Sequence, residues 1–315
     1  MKIITEFCQN HNGDFEILKK MINEAAEGGA THGKIQTIFA EDVTYRERFE
    51  NGTVDSNGKI ITIKRPYKDE YDRLKNLEVS YEQHRIFIEE CKKVDLIPLT
   101  TAFTKGSVPK LKDFGFESIK VASYDCGALP LVKLLAESFN EIIISTGATY
   151  NEEIEATANY LNSINKKFSL LHCVTIYPTP LEQIHLKRMK YLKKFTDSVG
   201  LSEHTMTSRD GVKATLAAIY YGAEIIERHF SILPAEETRD GKVSIKKEHV
   251  QEIVKFSNLS KDDQKEYIEE HIPEYDLMLG SEQRELSDAE LLNRDYYRGR
   301  FASHYHKQPS YNWEV

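Results

Sequence analysis

The sequence predicts an α/β chain folded as a (β/α)8 TIM barrel, with a long insertion after the second strand and a short irregular C-terminal tail. Three observations lead there. Eight short apolar runs alternate with helical patterns across residues 2–258. Polar residues gather where each run gives way to its following loop, the place where such barrels carry reactive groups. No Gly-x-Gly-x-x-Gly follows any run, which disfavours the doubly wound open sheet as the alternative.

The strand runs are 2–7, 32–37, 97–101, 118–122, 141–145, 168–173, 198–202 and 223–228. Each is four to eight residues long and most are rich in Ile, Val and Leu, as buried parallel strands require. Helical periodicity falls between them. Segment 14–27 places Phe15, Leu18, Met21, Ile22 and Ala25 on one face, with Asp14 as its cap and Gly28-Gly29 as its stop. Segment 80–93 turns Tyr81, Ile86, Ile88 and Cys91 mostly inward, and further helical segments are 105–113, 128–138, 150–162, 183–194, 209–220 and 246–258. Two stretches break the rhythm. Residues 38–79 form a polar insertion punctuated by Asn51-Gly52, Asn57-Gly58 and Arg65-Pro66, a length that suits a lid or a subunit contact. Residues 259–315 form a charged, aromatic tail without the makings of a separate domain, which leaves 1–258 as the catalytic barrel.

Bulk properties narrow the function. The chain has 315 residues, 40% hydrophobic and 29% charged, and a net charge of −8 with acids and bases interspersed. That balance argues against a nucleic-acid partner. Cys8, Cys91, Cys126 and Cys173 lie far apart, so no Cys-x-x-Cys zinc or dithiol motif exists and reduced thiols are expected. No apolar stretch approaches the ~18 residues of a membrane helix, and the N-terminus opens on a strand rather than a signal peptide. A soluble, cytoplasmic protein is expected.

Candidate chemistry clusters at the strand ends. His204 in Gly200-Leu-Ser-Glu-His-Thr205 and His229 in Glu227-Arg-His-Phe230 lie one strand–helix unit apart. Two neutral imidazoles ending adjacent parallel strands suit a divalent metal, with satisfied rim histidines as the alternative. Glu6 ends the first strand and can act as acid or base, or position a polar substrate. Lys34 and Lys120 interrupt apolar strands, so each must face the mouth or pair with an acid. Two cations on one cavity would favour a phosphate or carboxylate. Gln36, Thr101, His172 and Glu203 add polar groups at the same edge, Ser123 and Ser145-Thr146-Gly147 add donors of the kind phosphates use, and Tyr177-Pro-Thr-Pro180 offers a stiff aromatic wall. A Ser–His–Asp nucleophile has no support, because Gly-x-Ser-x-Gly is missing. The His-x-His of hydrolytic zinc barrels is missing as well.

Taken in order, Glu6-Phe-Cys-Gln-Asn-His-Asn-Gly-Asp14, Lys34-Ile-Gln-Thr37, Lys120-Val-Ala-Ser123, Ser145-Thr-Gly147, Leu171-His-Cys-Val-Thr-Ile-Tyr-Pro-Thr-Pro180 and the two histidine motifs resemble the sialic acid synthase family. The resemblance covers residues 1–256. It implies a barrel that condenses phosphoenolpyruvate with an open-chain amino-sugar aldehyde to a nonulosonic acid and phosphate. It implies a divalent metal, Mn2+ first with Mg2+ or Co2+ as alternatives, on His204 and His229. It assigns phosphoenolpyruvate to Lys34, Lys120 and Ser123, with donors near Ser145 and Thr146. Glu6 falls beside the reacting carbons and Tyr177 against the sugar, with Gln36 and Thr175 among the substrate contacts.

Departures from the family pattern bear on the acceptor. Thr175 stands where an asparagine is common. Leu233-Pro-Ala-Glu-Glu-Thr-Arg-Asp240 varies a Pro-Gly-Pro-Asp loop, with Asp240 on the sugar-contacting aspartate and Arg239 on the second proline. The chain ends at Val315, before the antifreeze-like domain through which relatives form homodimers and offer an arginine to the sugar. Arg298, Arg300, the 38–79 insertion or a separate chain are the candidates to fill that place, and a homodimer is admitted. The competing readings are a non-catalytic sugar-phosphate-binding or scaffold subunit, and a lyase that forms a Schiff base on Lys34 or Lys120.

Overall fold

A computed structural model describes residues 1–306 and 308–315. Eight parallel strands close into a barrel: β1 (Lys2–Cys8), β2 (His32–Gln36), β3 (Ile97–Ala102), β4 (Ser118–Val121), β5 (Glu141–Ser145), β6 (Lys167–Cys173), β7 (Val199–Glu203) and β8 (Ile225–His229). Each strand pairs with its neighbours in sequence, and β8 returns to β1 with Glu6 opposite His229. The expected barrel is present, and every strand lies within two residues of its expected place. Among the described residues, no helix is long and apolar enough to cross a membrane.

The pleat sorts the side chains. Ile4, Leu99, Ile143, Leu171 and Ile225 form an aliphatic plug inside the barrel. Alternate residues pack outward beneath the helices in the main core. At Gly200 a Cβ would come within 2.0 Å of the Ile225 carbonyl oxygen, so β7 and β8 approach at a distance only glycine permits. Two residues read from the sequence as facing the mouth turn outward instead, because each lies one position from an inward neighbour. The His172 ring bonds the Ile184 carbonyl at 2.6 Å. Glu203 pairs with the fully buried Arg228 and accepts from Thr205 at 2.8 and 3.0 Å.

Helix Phe15–Gly28 is capped by Asp14, which accepts from the Glu16 and Ile17 amides, and it ends on left-handed Gly29. Helix Tyr81–Lys93 buries His84, Phe87, Ile88 and Cys91, a face rotated away from the expected Tyr81 and Ile86. The expected 183–194 helix shrinks to Arg188–Leu192. The left-handed backbone at His185 interrupts it, and the amides of Leu186 and Lys187 bond the Met278 and Leu279 carbonyls of the tail. The 209–220 helix likewise divides at Gly211, φ 55°.

The tail is more ordered than expected. It carries helices Lys261–His271, Tyr275–Leu279 and Asp288–Tyr297 and a short ladder of Ser303–Tyr305 with Gln308–Ser310. The overlooked signal is Ser287-Asp-Ala-Glu290, a reciprocal capping box. The insertion contributes helix Tyr67–Leu77 and a ladder of Thr53–Val54 with Ile60–Thr62. Insertion and tail pack on each other: Phe301 joins Ile38, Ala40, Val43 and Leu74, and Phe49 meets Tyr296 edge-on at 5.1 Å. The tail is also tied to the barrel by Asn293, which donates to the Thr175 carbonyl at 2.7 Å, and by Arg294, which donates to the Ala148 carbonyl at 2.6 Å.

Removing one partner of a buried ion pair leaves the other charge unpaired, a loss of about 3–5 kcal/mol. Glu203→Ala, which orphans Arg228, is therefore expected to lower the free energy of unfolding by about that amount in a denaturant titration. A change below about 1 kcal/mol would mean the pair behaves like a solvent-exposed one.

Candidate active site at the barrel mouth

Above the aliphatic plug the interior turns polar. A cavity of about 420 Å³ opens at the C-terminal ends of the strands. Glu6, Lys34, Thr101, Lys120, Ser145, Cys173, Ser202 and Glu227 line its floor, each two positions along its strand from a plug residue or from that layer's level. Lys34 hydrogen-bonds Glu6 and Thr101, the latter at 3.2 Å, and lies 3.7 Å from Glu227. Lys120 donates to Ser145 Oγ at 2.6 Å and lies 3.8 Å from Glu227. Ser202 donates to Glu227 Oε1 at 2.8 Å. Two buried ammonium groups thus share one chamber with two carboxylates. Burial lowers the Lys34 pKa to about 8, with Glu227 acting against the shift. Burial would raise the Glu227 carboxyl, but Lys120 and Lys34 outweigh it and hold it below its usual value.

One level higher stand the imidazoles. The His204 and His229 ring centroids are 5.2 Å apart, and Tyr177, itself half exposed, lies 4.1 Å from His204. Burial lowers both histidine pKa values, assisted at His204 by His229 and opposed at His229 by Asp240. Both rings are then neutral near pH 7, the form that ligates metals. His229 Nδ1 is buried and has no hydrogen-bond partner among the described residues. Asp240 Oδ2 lies 3.7 Å from it and 3.1 Å from Cys8 Sγ. An orphaned neutral nitrogen beside a carboxylate and a thiol is a donor set that a divalent cation fits.

Of the twelve residues to which the family resemblance gives a role, eleven line this cavity: Glu6, Lys34, Gln36, Lys120, Ser123, Ser145, Thr175, Tyr177, His204, His229 and Asp240. Thr146 does not. Ser145 faces inward, so Thr146 faces out and donates to the Leu171 carbonyl at 3.0 Å. Glu227 and Cys8 went unselected although the two-residue period makes them legible, Glu227 two before His229 and Cys8 two after Glu6. The rim has no such signal. Arg65 and Arg73 come from the insertion, Arg239 from the loop after β8, and Asn293, Tyr297, Arg300 and Asn312 from the tail. Arg300 pairs with Glu70, which also holds Arg73 at 3.0 Å. Arg298 instead binds Glu153 at 3.1 Å, outside this cavity, so of the two arginines expected to fill that place only Arg300 reaches the mouth.

A closed ring of parallel strands that delivers titratable groups to one chamber marks this chain as a barrel enzyme. Comparison with known proteins supplies the family. The chain belongs to the NeuB family, whose family model matches residues 21–266. It is 33% identical over 249 residues to the N,N'-diacetyllegionaminic acid synthase of Campylobacter jejuni, covering 77% of this chain and 71% of that one. Human N-acetylneuraminate-9-phosphate synthase is 26% identical over 82% of this chain and 69% of its own length. Among solved structures, the N-acetylneuraminic acid synthetase of Leptospira borgpetersenii, crystallised with citrate, superposes with a TM-score of 0.69 at 26% identity, covering 93% of this chain and 90% of that one.

Because Lys34 holds its proton only up to a pH of about 8, anion binding at the mouth should weaken as pH rises through that value. The unfolded state holds that proton to higher pH, so the cost that burying this ammonium imposes on folding is present in full below that value and is relieved as pH rises past it. Calorimetric titration with inorganic phosphate across pH checks the first point. A Lys34→Met variant with the same pH dependence as the parent would place the titration elsewhere.

Proposed function

We propose that the protein condenses phosphoenolpyruvate with an open-chain amino-sugar aldehyde to give a nonulosonic acid and phosphate. The observation that carries this reading is the vertical order of the cavity: ammonium groups on the floor, neutral imidazoles above them, and a polar, aromatic rim above those. The names of the relatives, legionaminic and sialic acid synthases, support the product class.

In this reading Lys34, Lys120 and Ser123 receive the carboxylate and phosphate of phosphoenolpyruvate, with Ser145 holding the Lys120 ammonium in place. Fixing the enol phosphate in this way is catalysis by positioning and electrostatics. The enol C3 bonds to the aldehyde carbon, whose oxygen takes a proton. Positive charge develops at C2, which accepts the oxygen of a water that gives up its own proton. Cleavage of the C2–O bond then releases phosphate and leaves the ketone. The Glu6 carboxylate, which accepts from the Cys8 amide at 2.8 Å and pairs with Lys34, lies where it can stabilise the cationic carbon. Tyr177, Thr175, Gln36 and Asp240 face the acceptor. His204 and His229 would hold a divalent metal, Mn2+, Mg2+ or Co2+, whose contribution when bound is Lewis-acid polarisation of the aldehyde. A cytoplasmic setting fits this chemistry and the four unpaired cysteines.

The test is phosphate release from phosphoenolpyruvate by the purified protein with Mn2+ and a panel of N-acyl amino-sugar aldehydes, with the acid product identified by mass spectrometry. Release with at least one aldehyde is expected, and silence across the panel contradicts the reading. His229→Ala should abolish turnover while moving the unfolding temperature little, since residues at this face contribute little stability. Parental turnover in that variant would remove the metal assignment.

A further inference from the structure

We propose that Cys8 and Asp240 complete the metal-holding set with His229 and His204. The result is a mixed thiolate, imidazole and carboxylate site that takes a borderline cation such as Zn2+, Fe2+ or Co2+ in preference to Mg2+. The inference rests on the metal reading above and specifies its ligands. Among the described residues, Cys8, His229 and Asp240 each offer a donor atom, and these atoms all lie within 4.8 Å of one another. Two of the separations are 3.1 Å, from Cys8 Sγ to Asp240 Oδ2, and 3.7 Å, from Asp240 Oδ2 to His229 Nδ1. Ligands about 2.0–2.3 Å from a tetrahedral ion stand about 3.5 Å apart, so these two separations already bracket the spacing of such a set.

The topology explains why these residues meet. Cys8 ends β1 and His229 ends β8, strands paired so that Glu6 lies opposite His229. Asp240 lies in the loop that leaves β8, and the His204 ring stands across the gap at the end of β7. His229 Nδ1 is buried with its lone pair unanswered. Cys8 adds a further sign. Its φ of 50° lies in the left-handed region, where glycine is at ease and a cysteine is not. A residue kept in that conformation places its sulfur against Asp240. On binding, Cys8 would release its thiol proton to solvent and ligate as thiolate, and thiolate selects the softer cations.

Cobalt reports the sulfur directly, through thiolate-to-metal charge-transfer absorption in the near ultraviolet. The metal-stripped protein titrated with Co2+ should bind one equivalent and develop that band. Cys8→Gly should lose the band and bind on the order of tenfold or more weakly, the loss seen even for outer partners of a metal site. Its metal-free unfolding temperature should not fall below that of the parent, because glycine suits the backbone there. Asp240→Asn should keep the band and bind more weakly. Parental binding of Co2+ without the band, and unchanged in Cys8→Gly, overturns this proposal and leaves the two-histidine reading intact. A parent protein that binds no Co2+ overturns both.

Discussion

Two ammonium groups and two carboxylates enclosed in one barrel floor set the terms for everything above them. At 3.7–3.8 Å, each Lys–Glu227 contact is worth about 4 kcal/mol at an effective dielectric of about 20. That is the scale of the desolvation cost of each ion, several kcal/mol. The layer persists because it is balanced, Lys34 and Lys120 against Glu6 and Glu227, and because Thr101, Ser145 and Ser202 each bond one of these charged groups, although Glu227 Oε2 is left without a hydrogen-bond partner among the described residues. A second consequence is functional. Charges held in register by strand pairing need not reorganise when an anionic substrate arrives.

The floor is rigid because it is made of strands, whereas the rim comes from longer connections. The insertion after β2 and the tail meet over the mouth, and Glu70 ties them together through Arg73 and Arg300. In the proposed reading the two levels divide the work of recognition. The floor offers few degrees of freedom and suits a small, constant anion. The rim, with Arg65, Arg73 and Arg239 above neutral imidazoles, would meet whatever extends outward.

Barrel, strand order and most of the floor were legible in the sequence, since buried strands announce themselves as apolar runs and the two-residue period decides which side chains face in. The same period explains the errors. His172, Glu203 and Thr146 each sit one position from an inward residue, and counting polar groups at strand ends without their parity mixed the two faces. Glu227 and Cys8 were overlooked for want of the same rule. Arg65, Arg73, Asn293 and Tyr297 were beyond reach for a different reason. They arrive through contacts between segments more than 200 residues apart, such as Phe49 with Tyr296, which leave no periodic trace. The tail helix Asp288–Tyr297 was readable from its capping box, and its place against β6 and β5 was not.

The central claim is that the ionised floor of the barrel is the receptor for the enol phosphate. Calorimetric titration of phosphoenolpyruvate into the parent protein and into Lys120→Met, with Lys34 left to balance Glu227 and unfolding temperatures measured alongside, tests it most directly. The account predicts one equivalent bound by the parent and binding lost or severely weakened in a variant that remains folded. Undiminished binding of phosphoenolpyruvate by folded Lys120→Met would contradict it.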